Sequence, residues 1–253
     1  MSEKKKPFFV GYLRIPNGLH NFLLIISIVL VSSFGAASLL VGATQDDPGA
    51  AGFRFDFGRQ TVTGIIEAEP YPLIYVTEGS EHIKTGRTVM LSGPGKTGIM
   101  NNIKQMEGTT IKATGIILKR GELDMLQVGR GKKAVEPVVV DTPVPESESI
   151  GKWRLQGEIC DGKCLAGAMQ PGRGLAHKAC AILCVIGDIP PVFVSTQPIE
   201  GQEFLLMGDV NGGPLSAETY DYMAQFVEID AEIERRGDLL VMLVDPKNIK
   251  VVE

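Results

Sequence analysis

The hydrophobic positions fall into one long run and then many short ones. Phe22 to Ala43 holds no charged residue. A helix of that length reaches about 33 Å, enough to cross a hydrocarbon core of about 30 Å. Beyond it, apolar runs are short, β-type and separated by glycine, proline and polar residues. Two stretches lack a periodic pattern. Residues 44–58 read as a tether, and residues 136–151, with Pro137, Pro143, Pro145, Ser147 and Ser149, read as an extended linker. They bound bodies at 59–135 and 152–253.

The two bodies follow one order of elements. Val62-Thr63-Gly64-Ile65-Ile66 opens the first and Leu155-Gln156-Gly157-Glu158-Ile159 the second. Later come Val89-Met90-Leu91-Ser92-Gly93 and Phe204-Leu205-Leu206-Met207-Gly208, then short helices near Lys96–Met106 and Ala217–Phe226. Two strands close each body, Ile111–Leu118 with Leu123–Val128, and Val227–Ile233 with Leu239–Val244. Glycine stands in both turns, at Gly121 and Gly237, where a tight hairpin favours positive φ. Strand, strand, strand, helix, strand, strand is the order of a five-stranded OB-type barrel. The fold class expected is therefore mainly β, two tandem OB-like barrels after one N-terminal transmembrane helix. Paired β-sandwich domains are the alternative.

The spacing locates an insertion. The interval Leu91 to Gly121 nearly equals Leu206 to Gly237, whereas Gly157 to Leu206 is far longer than Gly64 to Leu91. The extra length, about 160–190, holds all four cysteines, and grafted loops are where function concentrates.

Charge sets topology and excludes one class of partner. A net charge of −5 and a pI near 5.4 argue against nucleic acid, which needs clustered Lys and Arg. Lys4, Lys5, Lys6 and Arg14 precede the apolar run, and Asp46 and Asp47 follow it. Positive-inside bias then places residues 1–21 in the cytoplasm and the body on the periplasmic side of a bacterial inner membrane, with the lipid bilayer as first partner. A cleaved signal peptide ending at Val41-Gly42-Ala43 is the rival, but the run exceeds a usual signal core. A retained anchor at 22–43 is expected.

The cysteines carry the candidate chemistry. Cys160 and Cys164 sit where the first strand ends, and Cys180 and Cys184 lie in the helix-forming run 176–186. On that helix His177, Cys180 and Cys184 share a face. Two readings follow. In one, Cys164, His177, Cys180 and Cys184 hold zinc or a soft copper ion, with Asp161 orienting His177. In the other, disulfides Cys160–Cys184 and Cys164–Cys180 staple the insertion, as an oxidising compartment permits. A thiol-cycling hybrid stands between them.

The pattern G-x-[IV]-x-D-x-x-C, a spacer, then H-x-x-C-A-x-x-C-x-x-x-G is met here by Gly157, Ile159, Asp161, Cys164, His177, Cys180, Ala181 and Cys184. Gly187 falls one residue early, and Cys160 stands where the pattern has an apolar residue. Over these 157–187 residues the chain resembles small secreted or membrane-attached bacterial proteins of OB-like fold. The resemblance implies an envelope location and a shared Cys/His site, with no defined activity.

Other motifs have simpler readings. Gly93-Pro94-Gly95-Lys96-Thr97 imitates the end of a phosphate loop, but the leading glycine is replaced by Met90, so a strand-to-helix turn is expected. Lys119-Arg120 and Arg235-Arg236 read as solvated hairpin tips. Pro190-Pro191 ends the cysteine helix. No catalytic set stands out. The function expected first is a non-enzymatic accessory or assembly protein that docks to a larger membrane complex. A metal or thiol-redox handler is second, and an enzyme with a site between barrel and insertion is third.

Overall fold

A computed structural model of the chain describes residues 15–44, 51–129, 134–138 and 143–252. The charged flanks used for topology, Lys4 to Arg14 and Asp46-Asp47, lie outside them. After a short 3-10 turn at Asn17–Leu19, helix α1 spans His20–Thr44 and carries no charged side chain. Residues Asn17–Ala43 form a helix long and apolar enough to cross a membrane.

The rest forms a separate compact unit of two barrels. In chain order the strands are β1 (Gly52–Phe53), β2 (Gln60–Glu67), β3 (Leu73–Glu78), β4 (Thr88–Ser92), β5 (Thr110–Arg120), β6 (Leu123–Val128) and β7 (Val135–Pro137). The second body adds β8 (Glu148–Asp161), β9 (Pro191–Ile199), β10 (Gln202–Asp209), β11 (Phe226–Arg236), β12 (Leu239–Val244) and β13 (Ile249–Val251). The first barrel closes in the order β2-β3-β4-β6-β5, with β5 returning to β2. The second closes as β8-β9-β10-β12-β11, with β11 returning to β8. In each, one pair is parallel, β4 with β6 and β10 with β12. This is the closed five-stranded OB topology in tandem, and closure removes the sheet edges.

Glycine is required where the first strand of each barrel bends. A Cβ on Gly64 would lie 2.2 Å from Tyr75 O, and one on Gly157 would lie 2.0 Å from Val194 O. Gly157→Ala is therefore expected to lower stability by about 1–3 kcal/mol. Urea unfolding of the full chain measures it; an unchanged midpoint would contradict the close approach.

The continuous apolar runs have a physical cause. In β4, Val89 and Leu91 enter the first barrel's core, while Met90 faces a second core between the barrels. In β10, Leu205 and Met207 fill the second barrel, while Phe204 and Leu206 join Met90, Leu73 and Tyr71 in the shared core. Alternate residues thus serve two cores, so the strand cannot alternate apolar with polar.

Three expectations are corrected. The tether is shorter than 44–58: β1 pairs with β5, and Phe57 stacks on His82 at 3.7 Å beneath the Arg54 guanidinium. The linker 136–151 is shorter too, because its first residues lie in β7 and its last begin β8; residues 139–142 lie outside the described ones. The tip Arg235-Arg236 is not simply solvated. Arg236 is buried and donates from Nη1 to Glu67 Oε1 at 2.5 Å and to Glu69 O at 2.9 Å, both on the first barrel. Asp238 in the same turn accepts from Thr88 N at 2.6 Å.

The expected helices are also trimmed. The first covers only α2 (Met100–Ile103) and a 3-10 turn to Met106, and the second is a 3-10 turn, Ala217–Tyr222. In the first case the residues from Gly93 to Gly98 are used in docking against the insertion, as described next.

Candidate metal centre

The insertion occupies residues 162–190, between β8 and β9, where the first barrel has only residues 68–72 between β2 and β3. It begins with a single wide helical turn, Cys164–Ala168, and passes through Leu175–His177 into helix α3 (Lys178–Ile186). Gly167 in that turn has φ 125°, and a Cβ there would lie 2.0 Å from Gly52 N. The turn is thereby pressed against β1. After α3, Pro190 and Pro191 return the chain to the barrel, and Gly162 N donates to Pro190 O at 2.8 Å.

Strand geometry sorts the cysteines. Cys160 and Asp161 are successive residues of β8 and point to opposite sides. Cys160 enters the apolar core between the barrels, with Glu158 Oε1 3.4 Å from its sulfur. Burial, then the Glu158 carboxylate, pushes its pKa well up. Asp161 points into the insertion and is completely buried. Its Oδ1 accepts from Cys164 N at 2.8 Å, and its Oδ2 lies 2.9 Å from Nε2 of buried His177. One carboxylate thus fixes both the turn that presents Cys164 and the imidazole ring.

Three sulfurs converge. Cys164 Sγ lies 3.9 Å from Cys180 Sγ and 3.9 Å from Cys184 Sγ, and all three lie within 4.8 Å of one another. All four cysteines are free. The Cys160–Cys184 bridge of the disulfide reading finds no contact between its sulfurs, and the Cys164–Cys180 pair is close without being bonded. His177 groups with Asp161 and Cys164, not with the full set of sulfurs. Ile189 and the stems of Cys164 and Cys184 form a small apolar shell around the cluster.

Two lysines, not read as site residues from the sequence, complete the surroundings. Lys96, from the turn between β4 and α2, donates from Nζ to Cys180 Sγ at 2.6 Å and to Cys184 Sγ at 3.5 Å. The hydrogen bond to Cys180 raises the Lys96 pKa despite its partial burial. Lys163 is buried and donates to Gly93 O at 2.5 Å and Gly95 O at 2.7 Å. Burial lowers its pKa to about 8, against the pull of Cys184 and Cys164. The hydrogen bond shared by Cys164 and Cys184 drives their acidities apart. Together with burial it holds the proton on Cys164, and it favours thiolate at Cys184, where Lys96 adds to the effect.

The phosphate-loop imitation now has a cause. A Cβ on Gly187 would lie 1.9 Å from Lys96 O, and one on Gly98 would lie 2.1 Å from Asp188 O. Gly98 N donates to Gly187 O at 2.5 Å. These glycines let the first barrel's turn lie directly on the end of α3, which delivers Lys96 to the thiols. A small-residue signal was visible in the sequence, but its partner stood more than eighty positions away.

The arrangement suits a soft ion. Thiolates about 2.3 Å from a shared tetrahedral or trigonal ion stand about 3.8–4.0 Å apart. The 3.9 Å sulfur separations match that spacing. Comparison with protein-family models, curated proteins and solved structures gives no match.

Proposed function

We propose that this chain is a single-pass protein of a bacterial inner membrane, with its barrels on the periplasmic side, that holds a soft metal ion between Cys164, Cys180 and Cys184. The observation that carries the reading is the convergence of three sulfurs, with Cys164 Sγ 3.9 Å from each of the other two, all within 4.8 Å of one another, and a lysine ammonium against two of them. When bound, the ion cross-links β8's end to α3. Zinc and copper(I) both fit three thiolates. The two lysines offset the negative charge that the thiolates place in a partly buried pocket. The test is metal analysis with thiol counting on the full-length chain purified in detergent. One equivalent of zinc or copper, with Cys164, Cys180 and Cys184 protected from alkylation, is expected. Oxidised cysteines without metal would sink the proposal.

The accessory-subunit reading comes second. Leu175, Leu183 and Ile186 of the insertion are exposed at 71%, 55% and 58%, an apolar surface beside the thiol cluster that favours a docking partner. Mild extraction from native membranes is expected to bring down a partner membrane complex. Release as a lone protomer, with that surface uncrosslinkable to any neighbour, would remove this reading.

A further inference from the structure

Two more donors flank the three sulfurs, one on each side. On the buried side is His177, whose Nε2 is already engaged by Asp161 Oδ2 at 2.9 Å. On the solvent side is Met169, whose Sδ lies 3.7 Å from Cys180 Sγ. We infer that Met169, rather than His177, is the fourth donor, and that the centre takes a copper(I)-class monovalent cation rather than zinc(II). This inference rests on the three-cysteine centre proposed above.

The geometry separates the two candidates. His177 lies near Cys164 and Asp161 but does not group with all three sulfurs. It forms a closed unit with Asp161, whose other oxygen secures the Cys164 backbone. That unit holds His177 on the Cys164 side of the cluster, outside the group that Cys164 forms with Cys180 and Cys184. Met169 follows directly on the turn that carries Cys164, with extended backbone at φ −147° and ψ 151°. Its thioether reaches back over α3 to the Cys180 sulfur.

Donor chemistry then selects the ion. Three thiolates suit zinc and copper(I) alike, but the thioether discriminates: it favours copper(I), whereas zinc is held by thiolate, imidazole and carboxylate. A methionine side chain is flexible and polarisable, so it can close on an ion or leave it. Met169 is 43% exposed and Cys180 is half-buried, while Cys164, Cys184 and His177 are buried. The soft donors at the rim therefore give the ion a route in and out on the solvent side.

The test uses the full-length reduced chain in detergent, under anaerobic conditions. Copper(I) affinity is read by competition with a bicinchoninate chelator, and zinc(II) affinity by competition with a chromophoric zinc chelator, for the wild type, Met169→Leu and His177→Gln. Met169 lies outside the apolar cores, so leucine is expected to leave the fold intact. Met169→Leu is expected to weaken copper(I) by about tenfold or more and zinc(II) by less than about twofold, as befits loss of a thioether ligand. His177→Gln is expected to weaken copper(I) and zinc(II) by similar factors, because His177 acts through the placement of Cys164 and not as a ligand. Unchanged copper(I) affinity in Met169→Leu overturns the inference, as does a zinc(II) loss in His177→Gln that exceeds its copper(I) loss by about tenfold or more. A wild type that binds neither ion overturns the three-cysteine centre itself, which is a distinguishable failure.

Discussion

Replacing Cys164 with serine is expected to abolish stoichiometric binding of soft metal by the full-length chain, while replacing Cys160 with serine leaves it intact. Cys180 and Cys184 come from one face of α3, but Cys164 arrives from the separate turn at the end of β8. Its sulfur is the one 3.9 Å from each of the others, so without it the helix offers only two thiols. A hydroxyl is a poor donor for a soft ion, and the loss is expected to exceed about a hundredfold in affinity. Cys160 faces the core between the barrels, and serine there costs stability without touching the ion. Mass-spectrometric metal-to-protein ratios check both variants. A Cys160 variant that loses its metal while the Cys164 variant keeps it would reverse the assignment.

Replacing Arg236 with alanine is expected to lower stability by about 3 kcal/mol and to split one urea transition into two. Arg236 stands at the β11–β12 turn, yet its guanidinium donates to Glu67 and to Glu69 O of the first barrel, and from Nη2 to Glu234 Oε2 at 3.0 Å. Glu67 also receives the Tyr75 hydroxyl. Removing the guanidinium leaves the Glu67 carboxylate, 17% exposed, without its countercharge. Arg236→Lys is expected to recover only part of the loss, because an ammonium cannot span Glu67 and Glu234 as the planar fork does. A single transition with an unchanged midpoint would show that the apolar core alone holds the barrels together.

The barrels were legible in the sequence because their determinants are local. Gly121 and Gly237 adopt φ 54° and 62° in the hairpin turns, and the strands on either side carry the expected apolar positions. The insertion was legible from spacing alone. What escaped was everything contributed across the barrel interface. Lys96 belongs to a turn whose local pattern says only strand-to-helix, and Arg236 to a turn whose local pattern says only solvent. Both are placed by tertiary packing, which leaves no periodic trace. The different role of Cys160 was within reach. Neighbours on a strand face opposite ways, so Cys160 and Asp161 could not serve the same pocket. Met169 carried no signal, because a methionine in a loop matches no ligand spacing.

The contact between Lys96 and the thiols has a consequence for biosynthesis. The strands of the first barrel all precede the cysteines, so with N-terminal domains folding first during synthesis its turn is in place when α3 folds. The pocket gains its ammonium only at the moment the second barrel seats against the first. Until then Cys180 and Cys184 lack the Lys96 ammonium that lies against them in the folded chain. Under the proposed metal centre, an ion whose thiolates meet the Lys96 ammonium therefore marks a chain whose two halves have found each other.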